Sequence, residues 1–333
     1  MKNKTHKSSL LALCTVVGLT AQSALAVVIY QTGFESPEYT GGTAYDSGNQ
    51  LTSQGWTNAL GSLPNFDVYT YAGAQVPYTP NGAVPVIGGI PQLVTPTQNV
   101  NGGLQFAANG NQSGDKRVFD FSPIPSGLVE MSIDYNPGLW FDNNGGNLNG
   151  GFTLRSTLAA GDNNHGGVYS GRATSQPSGD VNGNGKWSPL WMVFNSANVQ
   201  QTTAGVQTGY RFGGVTGFDE LDKEKWYRLG YVWDRVTGRV TQLKTQELSV
   251  GAPTYSMDNP QVAGQDLYVR GGATPVEIGG VRLYNVGNGT LSSYDNLYVG
   301  DPYTWAPVVP EPSTVGLLLA GLSGLGLVRR RKK

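Results

Sequence analysis

Cysteine is all but absent. Cys14 is the only one in the chain, and it lies in an N-terminal segment built for removal. The mature protein therefore has no disulfide, thiolate nucleophile or thiolate metal ligand, and its stability must come from packing. Histidine is as scarce: with His6 also in the N-terminal segment, His165 alone remains, in the turn Asn163-Asn164-His165-Gly166-Gly167. One histidine without cysteine cannot build a zinc site. No nucleophile-elbow glycines frame a serine, so a Ser-His-acid triad has no visible frame either. Gly271-Gly272 and Gly279-Gly280 lack a following helix and a P-loop lysine, so they read as turns or bulges, not phosphate cradles.

Charge is sparse, at 14% of residues, and unevenly placed. Setting aside Lys2, Lys4 and Lys7 and the five basic residues from Arg329 to Lys333 leaves 14 basic against 23 acidic residues, a balance near −9 for the body. A body of that sign is a poor partner for nucleic acid or anionic lipid.

Long stretches of 3.6-residue apolar periodicity are also missing between Val27 and Pro307, so helices are not the framework. What is present is glycine, 48 residues of it, separating short runs rich in β-branched and aromatic residues. That spacing predicts strands near 27–31, 104–107, 117–121, 128–135, 151–156, 190–195, 208–212, 226–234, 239–244, 266–270, 281–286 and 294–299. The clearest hairpin is 226–244. Tyr227, Leu229, Tyr231 and Trp233 alternate with Arg228, Gly230 and Val232 before a Thr237-Gly238 turn. In 128–135 the same period sets Val129, Met131, Ile133 and Tyr135 against Glu130, Ser132 and Asp134, which predicts a half-wetted strand. The proline-rich stretch 73–97 reads as a surface excursion, and 143–149 and 160–185 as Gly/Asn-rich turns. A body of 27–301 is thus expected to be one all-β domain, an antiparallel sandwich of jelly-roll type.

Both ends of the chain carry addresses. Lys2, Lys4 and Lys7, the apolar stretch 10–19 and the small-x-small site Ala24-Leu25-Ala26 form a signal peptide over 1–26, to be cut by signal peptidase ahead of Val27. Leu13 occupies the position where a lipoprotein box needs a small residue, so Cys14 is not lipidated. At the other end, 302–312 is a proline-punctuated linker, and 313–333 holds a short apolar run and a basic tail. Val315 to Val328 contains only Val, Leu, Ala and Gly apart from Ser323. Fourteen residues span about 21 Å as a helix, against a hydrocarbon core of about 30 Å, so the segment makes only a transient inner-membrane anchor. Arg329, Arg330, Arg331, Lys332 and Lys333 stop it on the cytoplasmic side and leave the body outside.

Val309-Pro310-Glu311-Pro312-Ser313, followed by that run and that tail, resembles the PEP-CTERM sorting signal. The resemblance implies export from a Gram-negative bacterium, an exosortase as processing partner, Pro310, Glu311 and Pro312 as the sorting motif, and an association with exopolysaccharide at the outer surface or in a biofilm matrix. The two prolines hold Glu311 extended for a reading groove, and Ser313 can cap the helix that follows. The body resembles concanavalin/laminin-G-type jelly rolls through Gly33-Phe34-Glu35, 225–229 and 294–299. Members of that group bind carbohydrate or hydrolyse it.

Candidate chemistry in the body is thin. Glu130 and Asp134, four residues and about 13 Å apart on one strand, read as charges on a solvated face. Asp219 to Lys225 reads as a solvated connection. Trp140 and Trp187, each beside a Gly/Asn turn, are the candidates for stacking on sugar rings. Asp180, Asn182 and Asn184 with Gly185 reproduce half of a calcium loop, but position twelve is Trp191 in place of the bidentate acid. The expected role is a non-enzymatic surface or matrix protein. A lectin-like binding module and a polysaccharide hydrolase or lyase are the alternatives.

Overall fold

The computed structural model describes residues 26–39, 56–58, 66–71, 86–87, 90–91, 98–109, 113–117, 121–124, 126–137, 150–156, 164–172, 186–203, 209–222, 225–274, 278–285 and 292–308. Among these there is no helix, and every strand pairing is antiparallel.

Two eight-stranded sheets make the sandwich. The first runs Thr254–Asp258, Val240–Glu247, Tyr227–Asp234, Leu128–Asn136, Ser292–Gly300, Gln105–Asn109, Phe66–Thr70, with Val28–Thr32 also paired to Ser292–Gly300. The second runs Gln200–Gln201, Lys186–Phe194, Gly167–Arg172, Gly150–Ser156, Ile278–Asn285, Ser113–Arg117, Trp56–Asn58, and Leu221–Asp222 adds to Lys186–Phe194. Neighbours far apart in sequence, such as Leu128–Asn136 beside Ser292–Gly300, are the long crossovers of a jelly roll.

The core follows from alternation. Val129, Met131, Ile133 and Tyr135 meet Tyr227, Leu229, Tyr231 and Trp233 across the first sheet, and Phe152, Leu154, Trp187, Trp191, Val281 and Leu283 face them from the second. The hairpin expected at 226–244 is present. Asp234 Oδ1 accepts from Val236 N at 2.8 Å, and Gly238, at φ +72°, closes the turn. Trp233 belongs to the main core. Trp226, on the opposite face, is buried in a second cluster with Tyr69, Tyr71, Phe106, Ala108, Leu248 and Val308.

Three expectations need correction. First, Gly167–Arg172, inside a stretch expected to be a turn, is a central strand. Its glycines are there because the neighbours leave no room: a Cβ on Gly171 would lie 2.3 Å from Leu190 Cδ1. Second, the strand expected at 208–212 reduces to a single bridge, Trp191 to Tyr210, and the strand expected at 266–270 reduces to Gln265–Asp266 plus bridges at Tyr268. Third, the strand 128–136 is not half wetted, since Glu130, Ser132 and Asp134 are all fully buried. A third layer explains it. Residues 301–308, all but the first of them in the stretch read as linker, cross the outer face of the first sheet and place Trp305 and Val308 in buried positions there.

Candidate functional site

The acids expected on a wet strand face sit in two closed polar clusters. Glu130 accepts from Lys244 Nζ at 2.5 Å, Tyr303 N at 3.1 Å and Trp305 Nε1 at 2.8 Å. Lys244 also donates to Tyr303 O at 3.0 Å and lies 4.6 Å from the Trp305 ring centroid. Burial pushes the Glu130 carboxyl up and the Lys244 ammonium down from their ordinary values, and each is held against that by the other's charge.

Four residues along the same strand, Asp134 receives a two-pronged bond from Arg228, Nε at 2.7 Å and Nη2 at 3.0 Å. Burial works against the Arg228 charge, but the Asp134 carboxylate outweighs it and raises the guanidinium pKa above its ordinary value. Asn99 Nδ2 spans Asp134 at 2.9 Å and Asp295 at 3.3 Å, while Asn296 Nδ2 donates to Asp134 at 2.8 Å. Asp295 faces Asp134 across the sheet and takes Tyr71 Oη at 3.1 Å. Burial, reinforced by the Asp134 charge, raises the Asp295 pKa well above the ordinary aspartate value. Asp134 and Asp295 are both fully buried, and a Cβ on Gly102 would stand 2.0 Å from Asp295 Oδ2, so the backbone of Gly102 is the lid on the pair.

An open site lies at the rim of the sandwich. A cleft of about 270 Å³ is lined by Gly217, Asp219, Asp222, Tyr227, Glu247 and Tyr255, with Thr216, Glu220, Leu221 and Thr245 completing it. The segment expected to be a solvated connection builds one wall, because Leu221–Asp222 joins the sheet beside Lys186–Phe194 and Asp219 is buried against Ser188 Oγ and Gly214 N. Asp222 pairs with Lys186 and, at 2.7 Å, with Lys225, which also reaches Glu247 at 3.2 Å. Hydrogen bonds from Lys186 and then Lys225 hold Asp222 below the usual carboxylate range. Gly217, at φ +81°, packs under the Tyr255 ring, where a Cβ would come within 2.3 Å of Cγ. The cleft thus offers two tyrosine rings, Tyr227 and Tyr255, and four acidic residues offset by two lysines at its edge. It can hydrogen-bond hydroxyl or ammonium groups, and it repels anions.

The remaining sequence candidates divide as follows. Trp187 is not a surface platform, because the strand begins at Lys186 and so turns Trp187 into the core. There it meets Tyr135 and Tyr227 edge-on, each at 5.6 Å, and donates Nε1 to Asp222 O at 3.1 Å. His165 is also buried in the sheet region, its backbone N–H donating to Leu154 O at 2.9 Å. Ala26 is the first described residue. Ala24, Trp140, the calcium half-loop Asp180, Asn182 and Asn184, the motif Pro310, Glu311 and Pro312, and the basic cluster 329–333 lie outside the described residues. Among the described residues, no three of His, Cys, Asp and Glu come together as metal ligands, and no helix is long and apolar enough to cross a membrane. Sequence reasoning missed Asp295 and the cleft. Asp295 sits in an aromatic strand, Tyr294-Asp295-Asn296-Leu297-Tyr298, and that lone acid was its only signal.

Residues 308–332 match the PEP-CTERM protein-sorting motif, so the chain carries an exosortase sorting signal of the kind typical of exported proteins of Gram-negative bacteria. No curated protein sequence matches the chain significantly. Similar solved structures include alginate lyase vAL-1 from Chlorella virus, with 11% identity, a TM-score of 0.37, and 83% of this chain and 100% of that one covered. Another is the PL-14 alginate lyase from Aplysia kurodai, with 11% identity, a TM-score of 0.32, and 83% and 100% covered. The GH131 β-glucanase catalytic domain from Podospora anserina is a third, with 13% identity, a TM-score of 0.30, and 61% and 75% covered. Likeness at this level assigns no activity to the chain.

Proposed function

We propose that the protein is a non-enzymatic component of the outer surface or extracellular matrix, held for a time in the inner membrane, cut by an exosortase, and associated with exopolysaccharide. One observation supports the non-enzymatic part above others: the strand-face acids are used up in structure. Glycoside cleavage needs two carboxyl groups that flank a substrate bond, whereas Glu130 and Asp134 are fully buried and tied to Lys244, Trp305, Arg228 and Asn99. The rim cleft supports a lectin-like mode of association, with Tyr255 beside carboxylates able to accept hydrogen bonds from sugar hydroxyls.

Incubation of the purified body with bacterial polysaccharides, followed by assay of new reducing ends and of unsaturated uronate, tests the proposal. Retention on an immobilised polysaccharide without release of fragments is the expected result. Turnover by either assay overturns it.

A further inference from the structure

We propose that residues 301–308 are a latch that leaves the sorting signal too little free chain for ready cutting, so that in the wild-type protein the exosortase acts when the latch lets go of the sheet. The proposal rests on the exosortase reading of residues 308–332.

The latch is held along its length. Tyr303 uses both backbone groups, its N–H on Glu130 and its carbonyl on Lys244. Trp305 donates to Glu130 and lies over Gly230, where a Cβ would come 2.5 Å from Cζ2 of the indole, so the sheet is hollowed at that one position to seat the ring. Ala306 O accepts from Gln246 Nε2 at 3.2 Å, and Val308 O accepts from Gly251 N at 3.1 Å. The Val308 side chain is buried among Tyr69, Tyr71, Phe106, Trp226 and Leu248.

The folded body therefore continues to the residue at which the sorting match begins. Only Val309 separates Val308 from Pro310. An enzyme that reads an extended peptide uses main-chain hydrogen bonds and alternate side chains on both sides of its key residues. Upstream of Pro310 those groups belong to Val309 and then to Val308, Pro307 and Ala306, and the carbonyls of Ala306 and Val308 are already taken. Reach is short as well. Seven residue steps from Val308 to Val315, where the apolar run begins, extend about 25 Å at most. A latched body leaves little room for a catalytic groove between itself and the membrane, and release of 301–308 doubles the available chain. The apparent cutting rate is then the intrinsic rate multiplied by the fraction of unlatched molecules. The chemistry is ordinary peptide hydrolysis: one peptide bond breaks, water gives its hydroxyl to the new carboxyl end, and the proton goes to the released amine.

The test is pulse-chase processing of the full chain in its exosortase-bearing host. One variant carries eight Gly/Ser residues inserted between Val308 and Val309, which leaves the latch docked and supplies slack. A second is Trp305→Ala, with thermal unfolding of its purified body confirming a folded state. Both are expected to be cut severalfold faster than wild type. If the wild-type chain is never cut, the exosortase reading itself fails. If wild type is cut and the insertion leaves the rate unchanged or lowers it, the latch is overturned, whatever the behaviour of Trp305→Ala.

Discussion

Lys244 Nζ stands 2.5 Å from Glu130 Oε2 beneath the Trp305 ring, and this pair fastens the C-terminal segment to the sheet. Taking one member away strands the other in a buried site, which costs about 3–5 kcal/mol. Glu130→Leu and Lys244→Met are each expected to lose about that much in denaturant unfolding. The double variant should lose clearly less than the sum. Additive losses would show that the two groups do not act as a pair.

The same contacts make 301–308 part of the domain. A body ending at Val308 should unfold cooperatively at the temperature of the full body. One ending at Gly300 exposes the cluster of Tyr69, Phe106 and Trp226 and leaves Glu130 without Trp305 and Tyr303, so a loss of about 3–5 kcal/mol is expected. Equal melting temperatures for the two would rule out the third layer.

The sequence displayed the sandwich but not what lies on it. Alternation in 128–135 and 227–233 identified the core faces correctly, because period two records which side chains point together. It could not say what covers the other face. Glu130 and Asp134 look solvated by residue type, yet their cover comes from residues more than 160 positions later, Tyr303 and Trp305, and from Asn296. Gly167–Arg172 was hidden for a related reason: its glycines answer to crowding by Phe152 and Leu190, which only the pairing of strands creates. The rim cleft joins residues 216–227 to residues 245–255, a juxtaposition that no local pattern encodes. The sorting tail was legible because its signal is contiguous.

Asp295 gives the protein a definite pH signature. Its folded pKa lies well above the ordinary aspartate value, so the folded state holds a proton that the unfolded chain releases. The stability from this group is fully present below about pH 4 and is lost as pH rises toward the folded pKa. Asp295→Asn removes the titration. Chemical denaturation at stepped pH should show the variant gaining on wild type as pH rises from 4 upward, and parallel curves would contradict the buried Asp134–Asp295 pair.

Trp187 and Tyr255 separate packing from binding. Trp187→Ala opens the core between Tyr135 and Tyr227 and should cost about 3–5 kcal/mol. Tyr255→Ala, at the partly exposed rim, should cost less while abolishing retention on neutral polysaccharide in affinity electrophoresis. Undiminished retention of Tyr255→Ala would move binding away from the cleft.

Mass spectrometry of the native protein recovered from the extracellular fraction is the most direct measurement. Export through an exosortase predicts a chain that begins near Val27 and ends close to Pro310, Glu311 and Pro312, with no peptide from the apolar run. Recovery of intact peptides extending through Leu327 from that fraction would contradict it.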